Sequence, residues 1–190
     1  MRNTNADMNF LKASFIGLVL ASFAGFIALA QTPATKSTAS SKGISVLHPT
    51  AGNKVSGTVT FTPIADGVQV HAEIAGLTPG KHGFHIHEFG DCSAGDASSA
   101  GAHFNPTNQP HAGPDTAARH EGDMGNVEAD ASGKAKLHYV DHQISLTDDA
   151  KSAIGRSVVV HEKPDDLKTQ PSGDSGARIA CGVIGWAKTQ

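Results

Sequence analysis

The chain has 190 residues, of which 38% are hydrophobic and 17% charged, and its formal net charge is -3. A mildly acidic chain with no basic cluster argues against nucleic acid as a partner, and no basic amphipathic stretch points to a membrane surface. The amino-terminal part is set apart by its composition. Arg2 and Lys12 precede an apolar run over 15–30, and Ala28-Leu29-Ala30 has the small-x-small pattern that a signal peptidase cleaves. Residues 1–30 therefore read as a signal peptide, and the mature protein as exported, either periplasmic or extracellular. The alternative is an uncleaved anchor, but Gly17, Ser22 and Gly25 interrupt a run that is already short for a membrane span. Residues 31–42, rich in Thr, Ser and Ala, read as a flexible tether. Residues 43–190 suit one compact domain. Without Arg2, Lys12 and Asp7 the formal charge falls from -3 to -4.

Along that domain the pattern is β throughout. Strand-like alternation predicts strands over 44–47, 55–62, 68–74, 82–88, 125–128, 134–140, 157–161 and 177–186. Turn signals separate them, among them Ala65-Asp66-Gly67, Thr78-Pro79-Gly80 and Ala131-Ser132-Gly133. Eight short strands with Gly-rich turns predict an all-β fold, a Greek-key barrel or sandwich. Two stretches break the rhythm. Residues 90–123 form a long connection rich in Gly, Pro, Asn, Asp and Ser, and 163–176 form a shorter one. Long irregular loops in a compact domain are usually functional or disordered.

The placement of histidines is the strongest chemical signal. His85 and His87 lie in GFHIHEFGDC, on a predicted strand. A two-residue spacing puts both on one face, while Phe84 and Ile86 face the opposite way into the core. Taken alone, that pair reads first as a polar strand face turned to solvent, and the further histidines are what change the reading. His161 ends another apolar strand. The long loop adds His103, His111, His120 and Asp123, three nitrogens and a carboxylate that make a full tetrahedral set for zinc. Six histidines and one aspartate are too many for one tetrahedral ion and suit two adjacent sites that share a ligand. His82, at odd spacing from His85, reads as a hydrogen-bonded structural residue. His48, His71, His138 and His142 read as surface or strand residues. Cys92 and Cys181 are the chain's two cysteines. With an export signal they read as one disulfide, the alternative being two separate buried thiols.

The segments GFHIHEFGDC, AGAHFNP, RHEGDMGNVEAD, GRSVVVHEK and ARIACGVIG resemble copper/zinc superoxide dismutases, in the family's order and over nearly all of the chain from about residue 42. The resemblance implies a flattened eight-stranded Greek-key β-barrel with two long functional loops, and one copper and one zinc per subunit. It implies copper ligation by His85, His87, His103 and His161, and zinc ligation by His103, His111, His120 and Asp123. His103 would then bridge both metals. Arg178 would sit over the copper and attract the superoxide anion. Asp165 would hydrogen-bond His85 and His111, and Cys92–Cys181 would be the disulfide that ties the loop to the barrel. The implied activity is dismutation of superoxide to oxygen and hydrogen peroxide, with His103 taking and returning a proton.

Some features depart from the family's common pattern. Cys92 follows Asp91 directly, which resembles the bacterial secreted branch. The second loop is short, and the usual pair of glutamates with their lysine partner has no clear counterpart; Lys163 and Lys168 are the candidate steering cations. Family members are dimers through different surfaces, or monomers, so a homodimer is one expected state and Trp186 is a candidate interface residue. The rival reading is a secreted metal-binding protein without turnover. A zinc hydrolase fits less well, because it needs an open zinc position and a general base.

Overall fold

The computed structural model describes residues 41–188. The expected signal peptide, and the expected tether apart from exposed Ser41 and Lys42, lie outside the described residues. Eight strands form in the predicted order: β1 (Gly43–Pro49), β2 (Ser56–Ile64), β3 (Gly67–Ala75), β4 (Gly80–His87), β5 (Asp123–Ala129), β6 (Lys134–Asp141), β7 (Ser157–His161) and β8 (Arg178–Trp186). They close into one barrel in the order β1-β2-β3-β6-β5-β4-β7-β8, every neighbouring pair antiparallel. The connections from β3 to β4 and from β6 to β7 cross the barrel and make β3–β6 and β4–β7 neighbours, the Greek-key connectivity. The only helical turn among the described residues is the short 3-10 segment Ser98–Ala100 inside the long loop.

The period-2 pattern explains which side chains fill the barrel. On β3, Val68, Val70, Ala72 and Ile74 are buried, while His71, Glu73 and Ala75 are exposed. Phe61, Phe84, Leu47, Ile86 and Ile184 are the bulkiest of the core's completely buried apolar side chains, and Phe104 packs with them. Truncating either phenylalanine to alanine would cost about 3–5 kcal/mol.

β4 and β7 differ from that alternation because both of their faces are covered. All five residues of β7 are buried, as are His82 through His87 on β4. Inward, Phe84, Ile86, Val158 and Val160 join the barrel core. Outward, Val159 packs with Ala97, Ala100 and Cys181 in a small second core, with Cys92 against it. His85 pairs in register with Val159 and His87 with Ser157, so both histidines share that covered outer face. The solvated-strand alternative for His85 and His87 is thereby excluded.

The disulfide is present. Cys92 and Cys181 are bonded with Cα atoms 5.8 Å apart and close a loop of 89 residues in sequence separation. It pins the first loop to β8, three residues beyond Arg178. His82 is buried, with Nδ1 2.8 Å from the His161 carbonyl oxygen and Nε2 2.9 Å from that of Thr78, a structural hydrogen-bonding role. His48, His71, His138 and His142 are exposed.

Candidate metal centre

The loop is brought onto β4 by a close backbone junction. Phe104 N–H donates to the Ile86 carbonyl, Ile86 N–H to the Gly122 carbonyl and Gly122 N–H to the Phe104 carbonyl, each at 2.9 Å. Position 122 must be glycine for this, because a Cβ there would collide with the Ile86 carbonyl oxygen. The junction sets His103, His120 and Asp123 beside His85 and His87, and His87 itself forms a β-bridge with His103.

Two donor clusters result. One comprises His85, His87, His103 and His161; the other comprises His103, His111, His120 and Asp123. Within each, the ligand-type atoms lie within 4.8 Å of one another, and every member is buried. His103 belongs to both.

Hydrogen bonding fixes the tautomers. A carbonyl or carboxylate oxygen only accepts, so the nitrogen facing it carries the proton. His87 Nδ1–H donates to the Gly101 carbonyl at 3.0 Å and His161 Nδ1–H to the Gly176 carbonyl at 3.2 Å. Their Nε2 atoms, 3.3 Å apart, then face each other with two lone pairs. His85 Nε2–H donates to Asp165 Oδ2 at 2.8 Å, and His111 Nε2–H to Asp165 Oδ1 at 3.0 Å. His85 Nδ1 is left buried without a partner, as are His103 Nε2 and His120 Nδ1. Buried acceptors without donors are costly. In the first set the lone pairs converge with the protons directed outward, which fits a cation between them; in the second, His103 and His111 turn Nδ1 toward the Asp123 carboxylate, where a cation would replace the protons. Four imidazoles suit copper, and three imidazoles with a carboxylate suit zinc.

The carboxylates complete the arrangement. Asp123 Oδ1 lies 2.8 Å from His103 Nδ1, 3.0 Å from His111 Nδ1 and 3.2 Å from His120 Nδ1. Its Oδ2 accepts the backbone N–H groups of Ala112 and His120. Burial would raise the Asp123 carboxyl, but hydrogen bonds from His103 and His111, with the His120 ring close by, hold it far below the usual range. Asp165 is held low in the same way, by His111 and His85 against the effect of burial. Burial pushes the imidazoles of the first cluster down, His103 to about 4 and His161 to about 3, helped by neighbouring His85. They are therefore neutral and able to donate to a metal. Burial also opposes a charge on His111, but Asp123 and Asp165 outweigh it and raise this ring to about 9. In the metal-free protein a proton on His111 takes the part a cation would play.

Beside the first cluster opens a cleft of about 790 Å³, lined by His87, His103, His161 and Arg178 among others. The Arg178 guanidinium donates to the carbonyls of Ala97 and Gly101, both at 2.6 Å. Both acceptors lie in the loop segment that the disulfide holds. Ser172 also lines the cleft, whereas Lys163 and Lys168 do not. A second cation does: Arg156, stacked 4.4 Å from the Phe104 ring centroid and donating to the Glu88 carbonyl.

Sequence reasoning missed Arg156, because nothing in GRSVVVHEK distinguishes it from an arginine at a strand start. It also missed two brackets on the loops. Asn126 donates to the Asp165 carbonyl and accepts the Asp165 N–H, and Gln170 makes the same reciprocal pair with the backbone of His111. Position 173 lies against Asp165, and a Cβ there would collide with its Oδ1; glycine, at φ +69°, is what fits.

The sequence pattern of the copper/zinc superoxide dismutases matches residues 55–184, more than half of the chain. The chain belongs to the copper/zinc superoxide dismutase family. Among solved structures it is similar to the clock protein EA4, at 44% identity and a TM-score of 0.72, over 79% of this chain and 97% of that one. The family and the two donor clusters together point to binding of copper and zinc.

Proposed function

We propose that this protein dismutates superoxide to oxygen and hydrogen peroxide. Copper would be held by His85, His87, His103 and His161, and zinc by His103, His111, His120 and Asp123, one of each per subunit. The observation that carries the reading is His103. Its Nδ1 faces the Asp123 carboxylate, and its buried Nε2 is unpartnered among the imidazoles beside the cleft. Copper, when bound, supplies the one-electron redox chemistry, which zinc lacks.

The remaining work belongs to the chain's own groups. Arg178 supplies a fixed positive charge at the cleft, against a chain that is net negative, and so draws in a small anion. Its anchoring to Ala97 and Gly101 leaves the guanidinium in place without a search for a rotamer. His103 Nε2 takes a proton and gives it up to the nascent peroxide. Asp165, bonded to one ring of each donor set, keeps the His85 and His111 lone pairs directed inward. The sequence of the first thirty residues supports export, to the periplasm or the extracellular space. A homodimer belongs to the same reading; exposed Val46 and Val183 on paired strands, with Trp186 near the end of β8, offer apolar surface for it.

The test is superoxide decay by the mature domain loaded with copper and zinc, beside zinc-only protein and a His161→Ala variant. Fast decay that needs both copper and His161 is expected. Tight binding of both metals without decay would replace this reading with that of a secreted metal-binding protein.

A further inference from the structure

The outer face of the barrel carries metal-binding residue types far from the buried clusters. His71 on β3 and His138 on β6 are register partners across the β3–β6 crossover pair. Both are exposed. β3 lies half-way round the barrel from β7, so this face does not adjoin the donor sets already described. The two rings stand edge to face with centroids 5.9 Å apart. Pairs within the buried donor sets span 4.0 to 6.4 Å, a range that includes the separation of the exposed pair.

A carboxylate stands beside them. Glu73, two residues along β3 from His71 and so on the same face, places Oε1 3.7 Å from His71 Nε2. The same oxygen takes Lys136 Nζ at 2.8 Å, and Lys136 is two residues from His138 on β6. The lysine charge is thus offset by Glu73, and both imidazoles remain open to solvent.

We propose that His71 and His138 form an exposed site for a borderline divalent cation, with Glu73 as the adjacent carboxylate. Imidazole nitrogens suit copper, zinc and nickel, and Cu2+ binds such donors most tightly among first-row divalent metals. The ion clamps two strands that are not consecutive in sequence. It binds the folded barrel only, since the unfolded chain separates the two histidines by sixty-odd residues.

The experiment uses protein already carrying its copper and zinc, titrated with further Cu2+ and followed by electron paramagnetic resonance, chelator competition and thermal unfolding. One additional Cu2+ per chain is expected, with nitrogen coupling and a raised Tm. His71→Gln and His138→Gln should each weaken it by roughly a hundredfold, the advantage of a second tethered donor. Lys136→Gln, which releases Glu73 Oε1, should tighten it. Absence of the additional ion, or its persistence at equal affinity in both histidine variants, overturns the proposal. Superoxide decay is expected to be the same in all three variants, so this outcome is separate from that of the catalytic reading.

Discussion

Asp165→Asn should weaken copper binding more than zinc binding, and the hydrogen-bond inventory says why. Asp165 Oδ1 accepts two donors, His111 Nε2–H at 3.0 Å and the Leu167 N–H at 2.7 Å, whereas Oδ2 accepts only His85 Nε2–H at 2.8 Å. An asparagine has one acceptor oxygen and one donor amide. The orientation that satisfies more partners puts the oxygen at the Oδ1 position and the NH2 toward His85. His85 Nε2 must then accept, its proton moves to Nδ1, and the lone pair aimed into the first cluster is lost. The loss of such an orienting partner costs about 10–100-fold in metal affinity, or ~1.4–2.7 kcal/mol, and here it falls on the His85 side. Asp165→Ala removes both oxygens, frees the Leu167 N–H and leaves the buried His85 and His111 N–H groups unpaired, at about 1–3 kcal/mol for each imidazole. Both metals should then bind more weakly. Chelator-competition titrations with Cu2+ and with Zn2+ on both variants measure the difference. Equal weakening of the two metals by Asp165→Asn, or none, would refute the tautomer argument.

Arg178→Ala should lower the superoxide decay rate about tenfold at low ionic strength and flatten its salt dependence, because a local charge then no longer focuses the anion; an unchanged rate and salt slope would remove Arg178 from that role. Reduction of Cys92–Cys181 releases the segment that holds Ala97 and Gly101 against the guanidinium. It should lower stability by up to roughly 4–5 kcal/mol and weaken zinc retention, which unfolding and zinc-competition curves on oxidised and reduced protein would compare. For His111 the folded value, about 9, lies above the ordinary 6.5. Its proton therefore stabilises the metal-free fold fully below 6.5, and that contribution is lost as the pH rises through 9. Zinc must displace this proton, so uptake at pH 7 should release about one proton, with affinity rising about tenfold per pH unit toward 9 and flattening above it; zinc uptake without proton release, measured by calorimetry in buffers of different ionisation enthalpy, would contradict the assignment.

Much of this fold could be read from the chain because period-2 alternation is a local property. β7 is predicted to the residue, and the other strands to within a few. The differences have local causes. The sequence places the start of β5 at Gly125, whose positive φ of 74° marks an irregularity. In the barrel the strand begins at Asp123, which pairs with His85 across a register shift between Gly83 and His85. β1 continues past the expected end at residue 47, through His48 to Pro49. Proline is tolerated there because it ends its strand, opposite Ala180.

The donor sets were legible for a different reason from the strands. Two-residue spacing fixes a shared face, but it does not say whether that face is wet. The face of His85 and His87 becomes buried only because the loop returns over it through Phe104 and Gly122, a contact among residues 86, 104 and 122. Asn126, Gln170 and Arg156 act through equally non-local contacts, and each has the sequence signature of an ordinary surface residue. Burial is nevertheless what gives the clusters their chemistry. It keeps His103 and His161 neutral down to about 4 and 3, removes water from the lone pairs of His85 and His103, and leaves Asp165, a member of neither donor set, bonded to His85 of one and His111 of the other. The loops thus convert a pair of strand histidines, by themselves compatible with a solvated face, into donors of the first cluster whose protons point away from a common centre.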